Sequence, residues 1–439
     1  MPILFKRKDI LARQEDFGWI VALPNATIDF YDYSVSSILD RNDDQSISEA
    51  ELIPHLLQVI KIKADKFYLR HPLIVSLEVT RKCSLACPHC YINAGLPRDG
   101  EMSRQEIFDL LDELARCGVF CLQITGGEPL ERPDILDIIE YAHVKGFALA
   151  LATNGIHLTP QIIEHLPRKN FCLGLSIDGI SANEKIRGNL GKFEFLSEKA
   201  IMLRNAGITF EVMLTLNKIN LNDAPNLIRW CHSHNIFLET LDTQATGRCK
   251  QFPEIPLTPE DVPKDLEVFR LKEELEDYLE DLLGPREGLL YTGFLQFCYW
   301  INKITRRCKG GRSMAYITSN GDVYPCSNCA SEEILLGGNL RKHTFTKIWN
   351  NFFEEIRSIT WEDFEGCNEC EISHSPYYCC ARCPALSHGK NDSFLTGCGA
   401  SDFVRLSTKL RTHLYMQMHQ EKNHIQINPA RVIFDQKNY

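Results

Sequence analysis

The sequence predicts an α/β protein built on a parallel sheet or partial barrel, and three observations point there. Six strand-like apolar runs alternate with amphipathic stretches between Leu73 and about Thr243. Three cysteines, Cys83, Cys87 and Cys90, closely follow the first of those runs. Ten of the chain's 18 cysteines fall from Cys298 onward, marking a separate cysteine-rich tail. Strands joined by helical, right-handed crossovers wind into one parallel sheet, and such folds gather their chemistry at the C-terminal ends of the strands.

The 439 residues suffice for two or three domains, and 44% hydrophobic with 24% charged residues is ordinary for a globular protein. The N-terminus lacks a basic-then-apolar signal, and no run reaches membrane-spanning length, so a cytoplasmic location without membrane partners is expected. A net charge of −10 argues against nucleic acid as a partner. In a reduced compartment, 18 cysteines indicate metal or iron–sulfur ligation better than a disulfide framework. Cys117, Cys121, Cys172 and Cys231 lie in apolar patterns and read as small buried hydrophobes.

Residues 1–70 open with β-type runs at Ile3–Phe5, Gly18–Leu23 and Thr27–Tyr31, followed by helical periodicity at Val35–Leu39 and Ala50–Ile60. Between those helices, Asp40 to Glu51 matches a calcium loop at positions 1, 3, 5 and 12, but Gln45 stands where the turn needs glycine. The plainer reading is a polar turn in which Ser46 or Ser48 caps the next helix.

The core strands are Ile74–Thr80, Val119–Thr125, Phe147–Thr153, Phe171–Ile177, Ile208–Leu216 and Ile236–Leu241. The helices between them are Arg104–Arg116, Ile135–Val144, Gln161–Leu166, Phe195–Asn205 and Ala224–His234. The first strand leads into Cys83-x3-Cys87-x2-Cys90. Three thiolates on one tight loop can hold three irons of a cubane and leave the fourth open; a zinc knuckle is the alternative, but closed zinc sites take four ligands. Gly126-Gly127-Glu128-Pro129 follows the second strand, Thr153-Asn154-Gly155 the third, and Ser176-Ile177-Asp178-Gly179 the fourth. Thr215 and Asn217 end the fifth strand, and Thr246-Gly247-Arg248 follows the sixth. Each could be a plain turn; together they ring one end of the sheet.

A proline-broken linker leads to an acidic helix at Leu266–Leu283, read as a solvated face. The tail has Cys308-x12-Gly321-x4-Cys326, then Cys367-x2-Cys370-x8-Cys379-x3-Cys383, then Cys398. Asn320-Gly321 between apolar runs signals a hairpin.

On these motifs the chain resembles the radical S-adenosylmethionine (SAM) superfamily, with His89 before the last loop cysteine and Tyr91 after it. Its tail resembles the seven-cysteine SPASM extension. Residues 1–70 look like a PqqD-like, winged-helix-like domain that recognises leader peptides. The resemblance implies a partial (β/α)6 radical-SAM barrel over 71–250, a bridging segment over 251–297 and an auxiliary-cluster domain over 298–439. It implies a [4Fe-4S] cluster on Cys83, Cys87 and Cys90, with SAM held by Tyr91, Gly126, Gly127, Glu128, Pro129, Asn154, Ser176, Asp178, Arg187 and Thr215. In that family the Glu128 motif meets the SAM amino group, Ser176 its hydroxyls and Arg187 its carboxylate.

Two auxiliary clusters follow from the same resemblance. One uses Cys308, Cys326 and Cys383 with an upstream thiol, Cys298 being the best placed and Cys329 the alternative; the other uses Cys367, Cys370, Cys379 and Cys398. The eight-residue gap after Cys370 departs from the family's five; Cys379, rather than Cys380, keeps the spacing to Cys383. A zinc ribbon is the alternative for this tail. The implied function is a maturase cross-linking a ribosomally made peptide, reduced by a flavodoxin or ferredoxin. The alternatives are a sulfatase-maturase-like oxidation to formylglycine, and a zinc- or calcium-binding protein without radical chemistry.

Overall fold

The computed structural model describes residues 4–7, 10–23, 28–39, 49–55, 68–283, 307–365 and 401–421, with short pieces within 295–301 and 367–385. Calcium-loop residues 40–48 and the thiols Cys379, Cys380 and Cys398 lie outside the described residues.

The N-terminal part is an antiparallel meander of β1 (Leu4–Arg7), β2 (Ile10–Glu15), β3 (Gly18–Ala22) and β4 (Ile28–Tyr31), in that spatial order. Strand β2 was missed because Arg13, Gln14 and Glu15 break its apolar run. Arg13 and Glu15 are nevertheless buried, and they pair with each other. One face of this sheet, with Ala12, Trp19, Val21 and Tyr31, packs on Val35, Ile38, Leu39 and Leu52. The other face, with Ile20, Ala22, Ile28 and Phe30, packs on Leu73, Ile74, Phe120, Cys121 and Ala148. Those residues lie at or just before the starts of the core strands, so the meander seals the N-terminal end of the core sheet.

The core strands are β5 (Ile74–Thr80), β6 (Cys121–Gly126), β7 (Ala148–Thr153), β8 (Phe171–Ser176), β9 (Phe210–Leu216) and β10 (Phe237–Asp242). All neighbouring pairs among them are parallel. Helices cross over between them as the periodicity predicts; the first, Arg104–Arg116, begins at a Ser103/Glu106 capping box and buries Ile107, Leu110, Leu111 and Leu114.

The expected tail hairpin forms as β11 (Met314–Ile317) and β12 (Asp322–Tyr324), with β13 (Gly338–Asn339) beside it. It does not stand apart from the core. β11 pairs in parallel with β5, giving one nine-stranded sheet in the order β10-β9-β8-β7-β6-β5-β11-β12-β13. The acidic helix, Val262–Leu283, is less solvated than its composition suggests, because Asp265 is buried against Ser407 and Arg411 of the helix Asp402–Glu421. Among the described residues, no helix is long and apolar enough to cross a membrane.

Candidate active site

The loop after β5 is fixed mainly by backbone contacts. Cys83 N–H donates to Gly95 O at 2.8 Å and Cys90 N–H to Cys87 O at 3.1 Å. Glu131 accepts from both the N–H and the hydroxyl of Ser84 at 2.6 Å. Arg248 donates to Cys87 O at 3.2 Å and to Ala94 O, and its own N–H donates to Cys90 O at 2.9 Å. Gly247 is obligatory there: its φ is +56°, and a Cβ would come within 2.2 Å of Tyr91 O. The 246–248 segment therefore braces the cysteine loop. All 15 described cysteines are free thiols. Burial pushes the Cys83 thiol up to about 11 and raises Cys87 as well, so neither readily ionises without a cationic partner.

The other strand ends converge on the same place. Gly127 N–H donates to Thr80 O and Glu128 N–H to Lys82 O, both at 2.8 Å. A Cβ on Gly127 would sit 2.2 Å from Lys82 O, which explains the glycine. Glu128 is fully buried and accepts from Thr153 Oγ1 at 2.6 Å, Asn154 N–H at 2.7 Å and Leu130 N–H at 3.1 Å. Burial, opposed by those donors, raises its carboxyl to about 7. Pro129 is buried behind it. Asn154 Nδ2 lies 3.8 Å from Cys83 Sγ, tying the third strand end to the cysteine loop.

Across from the loop, Asp178 and Arg187 form a buried pair, with Nη2 to Oδ2 at 2.7 Å. Thr215 N–H donates to Asp178 Oδ1 at 3.0 Å, and His89 Nε2 lies 3.5 Å from Oδ2. Ser176 ends β8 half-buried, two residues before this pair. Tyr91 has Thr125 and Tyr316 at its phenol, whose acidity burial pushes up to about 12.

These residues fit SAM and a cubane. Three thiols share one braced loop, and two buried nitrogens, Arg187 Nε and His89 Nδ1, have no hydrogen-bond partner. A buried guanidinium N–H without a partner is costly unless a ligand supplies the acceptor.

Sequence reasoning missed Glu78. This fully buried carboxylate accepts from Tyr316 OH at 3.1 Å and Ser319 Oγ at 2.9 Å, and it pairs with Arg81 and Arg98, both at 3.2 Å. The signal was an acid inside an otherwise apolar strand, which is stable only when paired.

In the tail, Cys326 Sγ lies 3.6 Å from Cys329 Sγ, and Asn328 Nδ2 lies 3.6 Å from Cys383 Sγ. Cys308 Sγ accepts from Gly310 N–H at 3.4 Å. Cys298, expected near this group, is elsewhere. It is fully buried in the apolar cluster with Cys121 and Phe297 at the N-terminal end of the strands, its Sγ 3.9 Å from Ser313 O. A hydrophobic helix face carries it there. Cys367 is buried and Cys370 half-buried, one turn apart.

A parallel α/β sheet with a three-thiol loop leaving its first core strand, a buried guanidinium N–H without a partner near that loop and further thiols in its tail fits an iron–sulfur enzyme of the SAM-cleaving class. The comparisons agree. The Radical SAM superfamily profile matches residues 77–231, and the iron-sulfur cluster-binding (SPASM) domain profile matches 308–371, an iron–sulfur rather than a zinc family. An AdoMet-dependent heme synthase of Oleidesulfovibrio alaskensis is 30% identical over 333 residues, covering 70% of this chain and 82% of that protein. The mycofactocin maturase MftC of Mycobacterium tuberculosis is 27% identical over 334 residues, covering 72% and 79%. Streptococcus suis SuiB, solved with its precursor peptide SuiA, superposes with a TM-score of 0.64 at 17% identity, covering 83% of this chain and 93% of that one. AdoMet-bound anSMEcpe gives a TM-score of 0.59 at 18% identity, covering 80% and 98%.

The chain belongs to the radical SAM superfamily and carries a SPASM domain; it is an enzyme whose cofactors are SAM and [4Fe-4S] clusters.

Proposed function

We propose that this enzyme modifies a ribosomally made precursor peptide, joining two of its residues by an oxidative carbon–carbon or thioether cross-link. The observation that carries this reading is the N-terminal meander, an added sheet whose outer strands, β1 and β4, each pair on one side only among the described residues. An extended leader can add to such an edge, the mode expected of a PqqD-like domain. SuiB, whose fold covers 91% of this chain without peptide, was also solved with its precursor peptide, and that supports a peptide substrate. The working division is recognition over 1–70, core over 71–250, bridge over 251–297 and auxiliary clusters over 298–439.

In this reading Cys83, Cys87 and Cys90 hold the cluster that engages SAM. When bound and reduced by a flavodoxin- or ferredoxin-type donor, the pair supplies a 5′-deoxyadenosyl radical that abstracts hydrogen from carbon. The protein's share is placement. Arg187 offers its unspent Nε–H to the SAM carboxylate, with Asp178 holding the guanidinium. Gly126 and Gly127 let the second strand end close on the backbone of Thr80–Lys82, and Glu128, buried and held by Thr153, Asn154 and Leu130, fixes the turn that meets the amino group. Tyr91, Pro129, Asn154, Ser176 and Thr215 complete the wall and exclude water. Cys308, Cys326 and Cys383 hold one auxiliary cluster; Cys367 and Cys370, with Cys379 and Cys398, hold the second.

A second reading has a specific basis, since relatives at 29% and 30% identity are named heme synthases. One anaerobic assay separates the readings. The reduced full-length enzyme is given SAM and a candidate precursor peptide, with and without its leader, and in parallel a porphyrin precursor of haem. Leader-dependent loss of two hydrogens from the peptide supports the maturase. Formation of haem without peptide turnover overturns it, and an aldehyde in the peptide moves the reading to formylglycine chemistry.

A further inference from the structure

We infer that Cys329 is the fourth ligand of the first auxiliary cluster, so that Cys308, Cys326, Cys329 and Cys383 close it with four protein thiols. The inference rests on the auxiliary-cluster reading above and decides what that cluster can do.

The placement is local and physical. β12 runs through Pro325 into Cys326, which caps the short helix Ser327–Ser331. Cys329 lies on that helix, 1% exposed, with its Sγ 3.6 Å from that of Cys326. Asn328, between the two, reaches Cys383 Sγ at 3.6 Å, so the helix brings the tail's later thiol to the same spot. The thiols that bear electrostatically on Cys329 are Cys326, Cys383 and Cys308. A two-residue gap between cysteines is one that iron–sulfur proteins use for two irons of one cubane. The rival reading makes Cys329 a buried hydrophobe like Cys231, whose acidity is raised by burial alone. Cys329 differs because its close neighbour is another thiol sulfur. Cys298 also has a thiol neighbour, Cys121, but it packs in a separate cluster of aliphatic and aromatic side chains, and Cys308, Cys326 and Cys383 are not among the groups that bear on it.

Four thiolates occupy every iron of a cubane, leaving no position for a substrate atom. The first auxiliary cluster is then an electron carrier rather than a substrate ligand. Its helix also touches the SAM-side loop, for Ser331 Oγ donates to Tyr91 O at 2.8 Å, one residue beyond Cys90.

The test uses full-length protein with Cys83, Cys87 and Cys90 all changed to alanine, so that only auxiliary iron remains. Iron and sulfide are counted, and electron paramagnetic resonance is recorded on the reduced protein. Adding Cys329→Ala should remove up to about four irons. Adding Cys329→Ser should keep the fold by circular dichroism but move the g-values of one cluster. Cys298→Ser should change neither. An unaltered spectrum in both Cys329 variants, or loss of a cluster in Cys298→Ser, overturns the inference. Carbon-13 cyanide added to the parent checks it without a ligand mutation: an auxiliary signal that acquires carbon-13 coupling means an open iron and also overturns it. If the triple-alanine parent holds no iron, or holds zinc, the auxiliary-cluster reading itself has failed.

Discussion

Two buried arginines mark the two ends of the sheet, and they are equipped differently. Arg13, at the N-terminal end, spends its guanidinium fully: on Glu15 at 2.7 Å, and on the carbonyls of Pro72 at 3.0 Å, Gly118 at 2.8 Å and His71 at 2.9 Å. Arg187, at the C-terminal end, is paired with Asp178 but keeps Nε without a partner. A saturated buried cation is a clamp, since all its hydrogen-bonding energy goes into the fold. An unsaturated one carries a cost that only a ligand relieves. The difference teaches that burial of charge alone does not identify a site; an unspent guanidinium N–H close to Cys83 and Cys87 points to one.

The sharpest break between the ends comes from Cys87→Ala. It should abolish SAM cleavage and lower the iron content of anaerobically purified protein, while leaving the unfolding midpoint of the apoprotein little changed. Arg13→Ala should do the reverse. Removing it leaves three carbonyls without their donor and the buried Glu15 carboxylate with only the Arg70 N–H, a loss of about 3–5 kcal/mol in chemical denaturation, with SAM affinity of the folded fraction intact. A neutral result there would erase the clamp.

His71 sharpens the same comparison through pH. Burial, assisted by the charges of Arg13 and Arg70, lowers its imidazole to about 4, and neither ring nitrogen has a hydrogen-bond partner. Because the unfolded chain binds that proton near pH 6.5, stability should fall as pH drops from about 6.5 to about 4, by roughly 3 kcal/mol in all. His71→Phe should flatten that slope; an unchanged slope would assign it to other groups. The smallest effect is expected from Arg187→Ala, which should weaken SAM binding by about 1.5–3 kcal/mol, or roughly 10- to 150-fold, measured by equilibrium titration. If it unfolds the protein instead, Arg187 is a second clamp.

Much of the site was legible because its elements are local. The cysteine loop, the glycine pair and Asp178 each sit within a few residues of a strand whose periodicity announces it. What escaped depends on partners far along the chain. Arg13 finds Gly118 more than a hundred residues on, and β11 finds β5 after a still longer excursion. The bracing role of Arg248 was not legible, since its partners are carbonyls, which carry no sequence signal. Position along the chain favoured Cys298 over Cys329 as the upstream thiol; the short helix that carries Cys329 past Cys326 has no signal in the cysteine spacing.

The pairing of β11 with β5 has a consequence for how the enzyme is made. Until Met314–Ile317 leaves the ribosome, the strand that bears the cysteine loop has an open edge on that side, with apolar residues at every second position. An exposed edge of that kind invites pairing with other chains. A gene cut after the last core strand would therefore yield aggregates rather than a free-standing core, and insertion of the first iron competes with that fate during synthesis.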